Sequence, residues 1–276
     1  MSEGAAGKEM AQPTGNSARL AEVLAAQSDE LKARYPYRHP QETLEFFGIE
    51  PGMTVVEVLP GRGWYSPILV GFLGAEGQLI GADYPLDMWA NFTFADAEFI
   101  AKRRAWVDTW PEDAAAWQGD DSASVAATRL GEFSADQAGT VDAVLFIRAL
   151  HNLNRFEEEG QYRSNALKDT MMLLKPGGLV GVVQHSAPEE RGLEWADGSR
   201  GYLNKGAVIA FFEDAGFELV GESDVNANPA DVPAEEDIVW RLPPSLNTSR
   251  DNPDLRAKYE DIGESNRMTL LFRKPA

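Results

Sequence analysis

The chain has 276 residues, more than one minimal domain needs and fewer than two would comfortably use, so a single α/β domain with additions is the simplest organisation. Its formal charge of −19, from 25 basic and 44 acidic residues, argues against nucleic acid and anionic membrane as partners, since both reward clustered Lys and Arg. With no cysteine there is no disulfide framework, no thiolate zinc site and no cysteine nucleophile.

Residues 1–16 are small and polar and read as a flexible tail without an apolar signal core. No later run is long enough to span a bilayer, so a soluble, cytoplasmic protein is expected, with a trimmed signal peptide as the alternative origin of such a tail. Residues 17–50 read as a helical extension: Asn16 or Ser17 caps a helix carrying Leu20, Val23, Leu24 and Leu31 on one side. Residues 34–40 then gather aromatic and basic groups within an acidic chain. Tyr37, Arg38 and His39 are candidate substrate contacts on a lid, or alternatively a linker whose tyrosines pack on the core. Pro40 suits the first turn of a helix that Gly48 ends.

The central stretch is a short apolar run from Met53 that meets Glu57 and breaks into Leu59-Pro60-Gly61-Arg62-Gly63-Trp64-Tyr65. This is the pattern of a buried parallel strand feeding a loop and a helix, where α/β proteins bind nucleotides. A dinucleotide fingerprint would want a third small residue where Ser66 stands. The stretch Glu57-x-Leu59-x-Gly61-x-Gly63 instead resembles the first motif, acidic-x-Gly-x-Gly-x-Gly, of the Rossmann-like S-adenosylmethionine (SAM) methyltransferases, with Leu59 in place of the first glycine. Its Pro-Gly-x-Gly-Trp-Tyr form resembles a bacterial subgroup of predicted methyltransferases. The resemblance implies SAM as cofactor and S-adenosylhomocysteine as product. Glu57 would orient the methionine end, and Leu59, Gly61, Gly63 and Trp64 would line the same loop, with Tyr65 on the substrate side.

Residues 79–83 read as the second strand, ending in Asp83; a carboxylate there can accept two hydrogen bonds from a ribose diol, the role the resemblance assigns to it. The alternative is an exposed turn acid. Of the aromatic residues between 84 and 119, most read as packing, and those from Tyr84 to Phe92 as candidates for a pocket wall. Thr93 and Asp96 suggest a capping box opening a helix to about Val107. Residues 124–128 form a modest third strand without the acid the family often has after it, leaving Thr128 and Arg129 as candidate cofactor contacts; Asp120 and Asp121 fall at its wrong end.

Residues 141–147 are apolar apart from Asp142, a fourth strand buried on both faces. The loop after it carries Arg148, His151 and Asn152 toward the cleft and resembles the fourth methyltransferase motif. Arg148 is a candidate cofactor contact and Asn152 a substrate contact. His151 is either functional or a helix cap. A helix from Tyr162 to Leu174, a Lys-Pro-Gly-Gly turn and a fifth strand, residues 179–185, place His185 at a strand tip. Asn204 caps a helix to Ala215, the sixth strand is 217–221, the seventh is 268–273, and residues 226–266 between them form a long connector, a lid or a surface loop.

The expected fold is therefore a domain over residues 51–276 built on a seven-stranded, mostly parallel sheet with an antiparallel last strand and helices on both faces; that strand order is implied by the resemblance. The expected activity is SAM-dependent methyl transfer to a small molecule, an in-line displacement in which positioning dominates and His151 or His185 serves as base. No metal is expected, because His39, His151 and His185 come from distant segments without helical ligand spacing. A protein that binds SAM or S-adenosylhomocysteine without turnover is the non-enzyme alternative, and a nicotinamide oxidoreductase the other enzyme class. The oligomeric state, a homodimer included, stays open.

Overall fold

The computed structural model describes residues 15–276. The tail expected at 1–16 lies outside the described residues, except for its last two, which already belong to the helix Gly15–Ala26. Seven strands form one sheet: β1 (Thr54–Val58), β2 (Gln78–Asp83), β3 (Ser124–Arg129), β4 (Val141–Ile147), β5 (Leu174–His185), β6 (Glu218–Ser223) and β7 (Arg267–Arg273). Their order is β3-β2-β1-β4-β5-β7-β6, and β7 runs antiparallel to both its neighbours. This is the seven-stranded, mostly parallel sheet with an antiparallel last strand expected from the sequence. The order reverses between β1 and β4, so the crevice for a ligand lies at the carboxyl ends of these two strands.

Alternation along the central strands builds two cores. Val56 and Val58 of β1, Val144 and Phe146 of β4 and Val180 and Val182 of β5 face one side, while Val55, Ala143, Leu145 and Val183 face the other. Each fully buried aliphatic side chain contributes about 1.5–3 kcal/mol, which is why the strands at the switch point are the least negotiable part of the chain. The extension packs on the second face. Leu20, Leu24, Leu44 and Phe47 join its core, and Arg19 donates to the carbonyls of Gly71 and Phe72 at 3.1 Å while pairing with Asp121 at 2.9 Å. A Cβ on Gly181 would stand 2.6 Å from the Phe47 ring, so a side-chain-free position in β5 is what lets the extension lie flat on the sheet.

Several expected details differ. Leu31 belongs to a separate short helix, Asp29–Lys32, because Ser28 accepts from the Leu31 amide at 3.3 Å and starts a new cap. The helix expected to open at Thr93 opens at Asp96, whose carboxylate accepts from the Phe99 amide at 2.8 Å, and it runs Ala97–Ala114 with Pro111 in its last turn. Tyr84, Trp89 and Phe92 are buried core residues and not a pocket wall. The Lys-Pro-Gly-Gly segment lies inside β5 as a bulge, since Val141 pairs with Leu174 and Ala143 already with Leu179.

The connector 226–266 is built, not loose. Asn226 donates to the hydroxyls of Thr43 and Thr269 at 3.0 Å, and a buried Tyr202, Asp231 and Arg241 trio anchors it, with Arg241 Nη2 2.7 Å from Asp231 Oδ1. Its end carries Glu264 and Ser265 back toward the strand tips.

Candidate active site

The loop after β1 is set by its backbone. Leu59, Gly61 and Gly63 all adopt left-handed φ, at +52°, +63° and +73°. Leu59 therefore takes the conformation a glycine would take at that point, at a steric cost of about 1–2 kcal/mol. A Cβ on Gly61 would meet nothing closer than the Leu59 carbonyl at 3.8 Å, so Gly61 fronts free space. Gly63 does not: a Cβ there would stand 2.6 Å from the Trp117 ring, and its bareness serves packing. Trp64 lies under the Arg38 guanidinium, 4.5 Å from the ring centroid, with its buried Nε1 unpartnered.

Glu57, nearly fully buried, accepts a 2.7 Å hydrogen bond from the Ser66 hydroxyl through one oxygen. Its second oxygen has no hydrogen-bond partner among the described residues. Burial pushes this carboxyl up to about 7, against the pull of Ser66 and the more distant Arg148. That second oxygen keeps contact with solvent and has room for one more donor.

The charged groups at the tips of β2 and β3 are ion-paired inside the protein, although Asp83 Oδ1 and Arg129 Nε are buried without a hydrogen-bond partner. Asp83 is wholly buried; its Oδ2 accepts from Trp89 Nε1 at 3.1 Å and Arg103 Nε at 2.9 Å, while its Oδ1 pairs with Arg103 Nη2. A ribose diol in the role expected for it would have to share this carboxylate with Arg103 and Trp89. Arg129 likewise turns away from the cleft. Its guanidinium donates to the carbonyls of Arg103 and Arg104 at 3.0 and 2.6 Å and pairs with Glu132 at 3.1 Å, bracing the helix Ala97–Ala114. Thr128, beside it, is half-buried in register with Ala82.

The tips of β4 and β5 bring the two central histidines together, with ring centroids 5.6 Å apart. Gln184 Nε2 donates to the Gly201 carbonyl at 3.0 Å, which turns its oxygen toward His151 Nδ1 at 3.4 Å. That makes Nδ1 the protonated nitrogen and leaves His151 Nε2 as a free acceptor. Burial lowers His151 to about 4, so it is neutral at physiological pH. His185 is also held well below its ordinary value, by burial first and then by His151, Arg148 and Arg267; its Nδ1 lies 2.6 Å from Ser265 Oγ. Trp240, from the connector, packs edge-on against His151 at 5.7 Å.

Arg148 follows β4 at φ +59°, its amide tied to the Val183 carbonyl at 2.6 Å. Near it the extension and the connector meet. Glu264 takes Arg34, Arg38 at 2.9 Å and Arg267 at 3.0 Å. Burial alone would raise Glu264, but the surrounding guanidiniums hold it below the usual carboxylate range. Arg38 is pulled down to about 9 by burial and then by Arg148.

Of the remaining expected substrate contacts, Tyr65 is buried and donates to the Arg38 carbonyl at 3.3 Å, and Tyr37 is an exposed ring whose carbonyl accepts from Arg267. His39 sits at a left-handed hinge between two short helices with its Nδ1 buried and unpartnered. Asn152 also buries an unpartnered side-chain oxygen. Sequence reasoning missed Glu264, Ser265, Arg267, Gln184 and Trp240. Only Arg267 left a signal: a basic residue opening the last strand, opposite His185. Among the described residues no group of three or more His, Asp or Glu is placed to hold a metal, and no helix is long and apolar enough to cross a membrane.

No family model and no curated protein matches the chain. Solved structures similar to it include a SAM dependent methyltransferase from Aquifex aeolicus, at 17% identity, covering 75% of this chain and 93% of that one with a TM-score of 0.47. Geranyl diphosphate C-methyltransferase from Streptomyces coelicolor A3(2) is similar at 14% identity, covering 93% and 87%, with a TM-score of 0.49. The 4+2 cyclase SpnF is similar at 16% identity, covering 87% and 80%, also with a TM-score of 0.49. Likeness at this level carries no functional argument, which rests on the residues.

Proposed function

We propose that the protein is a SAM-dependent methyltransferase acting on a small molecule. The observation that carries the reading is Glu57, a buried carboxyl at the β1 tip with one oxygen fixed by Ser66 and the other unmatched. The residues fit the cofactor's methionine end: Glu57 would hold its ammonium, and Gly61 fronts space a ligand can lie in. SAM bound there would supply a sulfonium-activated methyl group. The chain's own part would be positioning and exclusion of water, to which Trp240, packed on the His151 ring, would contribute an apolar surface. His151 Nε2, neutral and unprotonated, would take a hydrogen bond or proton from the acceptor.

One observation favours a second reading, in which the fold persists without adenosyl chemistry: Asp83 is spent on Arg103 and Trp89. Calorimetric titration with SAM, S-adenosylhomocysteine and NAD separates the two. Saturable binding of the adenosyl sulfur ligands, weakened about tenfold or more by Glu57→Gln, supports the proposal. Binding of NAD alone, or of none of the three, removes it.

A further inference from the structure

Within a chain of net charge −19, the β4 tip gathers four guanidiniums around one carboxylate. Arg34, Arg38 and Arg267 all contact Glu264. Arg148 does not: its side chain makes no hydrogen bond and no ion pair among the described residues. It is electrostatically coupled to Glu264, Arg267, Tyr65 and Arg34, and also to Glu57 and both central histidines. It is half-buried and not sealed off from solvent. Its aim is fixed by the left-handed backbone and the bond of its amide to Val183. Arg267 adds a buried Nε without a partner.

We infer that Arg148, flanked by Arg38 and Arg267, receives an oxyanion, a carboxylate or phosphate group carried by the ligand. A planar guanidinium offers such a group two parallel hydrogen bonds, and the neighbouring guanidiniums supply attraction that a single arginine in water does not. Glu264 offsets part of the cluster's charge, and one carboxylate among four guanidiniums leaves an excess of positive charge there. The inference extends the proposed function by giving one end of the ligand its charge. The oxyanion belongs either to the methionine moiety of the cofactor or to an acidic acceptor.

The test measures thermal stability in inorganic phosphate against sodium chloride at equal ionic strength, together with titrations of S-adenosylhomocysteine and of 5′-methylthioadenosine, which lacks the amino acid moiety. Wild type is expected to gain about 5 °C, saturably, in phosphate. Arg148→Met should lose that gain while melting no lower without phosphate, and Arg148→Lys, which keeps the charge, should retain part of it. If Arg148→Met also weakens S-adenosylhomocysteine at least tenfold and leaves methylthioadenosine unchanged, the oxyanion is the methionine carboxylate. If both adenosyl ligands are unaffected while phosphate protection is lost, it belongs to the acceptor. Absent or variant-independent phosphate protection, together with unchanged adenosyl affinity, overturns the inference. A wild type that binds no adenosyl ligand but is protected by phosphate through Arg148 overturns only the methyltransferase reading.

Discussion

At the tips of β2 and β3 the functional-looking charges are already spent inside the protein: Asp83 on Arg103 and Trp89, Arg129 on helix carbonyls and Glu132. At the tips of β1, β4 and β5 they are not. Glu57 has a free oxygen, Arg148 has no partner, and His151 keeps a free ring nitrogen. Both regions are deep and both carry the residue types that bind polar ligands. The first region keeps two orphaned buried atoms, Asp83 Oδ1 and Arg129 Nε, but both belong to ion-paired groups; the second holds Arg148 and one Glu57 oxygen with no partner among the described residues, and the proposed site rests on that difference.

The comparison can be broken at its strongest contacts first. Replacing Glu264 by Gln leaves Arg34, Arg38 and Arg267 without their shared carboxylate and should cost about 3–5 kcal/mol in denaturant unfolding. If this variant unfolds like wild type, the guanidinium cluster is not organised by Glu264. Next in size is Arg103→Met, which strands a buried Asp83 and should cost about 2–3 kcal/mol. If Arg103→Met folds normally and gains affinity for adenosine-containing ligands, Asp83 is a ribose site that Arg103 merely covers.

A third prediction concerns pH. The Glu57 carboxyl is raised from 4.5 to about 7, so its contribution to stability is full below 4.5 and is lost as pH rises through 7. His151, lowered from 6.5 to about 4, contributes in the opposite sense: its share is present above 6.5 and lost as pH falls through 4. Between about pH 6.5 and 8 the acid acts alone, so wild type should lose stability with rising pH while Glu57→Gln stays flat. Parallel slopes in the two proteins would show that Glu57 titrates as it does in solution. The smallest effect belongs to Leu59→Gly: relief of the left-handed leucine and loss of its apolar contacts nearly cancel, leaving stability within about 1 kcal/mol. A loss of several kcal/mol would mean that the leucine side chain, not the turn, is what the position requires.

Much of the fold was legible because β-branched and apolar runs such as Val141–Ile147 are buried on both faces and leave little else to form there. The turn of Gly61 and Gly63 was legible for the same local reason, although only packing against Trp117 shows that Gly63 faces protein while Gly61 faces open space. What stayed hidden is pairwise and distant. Arg34 and Arg38 reach Glu264 across 230 and 226 positions, and no local pattern announces such a bond. Asp83 is the sharper lesson. Its strand-tip position was read correctly, but its partner Arg103 sits on a helix 20 positions later, and the side chain's freedom depends wholly on that partner.

The most direct measurement is calorimetric titration of wild type and Glu57→Gln with S-adenosylhomocysteine near pH 7, in two buffers of different ionisation enthalpy. If the ligand's ammonium completes Glu57, wild type releases roughly half a proton on binding and the variant, binding more weakly, releases none. Equal proton release and equal affinity in both proteins, or no binding in either, would contradict the assignment of the unfinished acid at β1 to the cofactor.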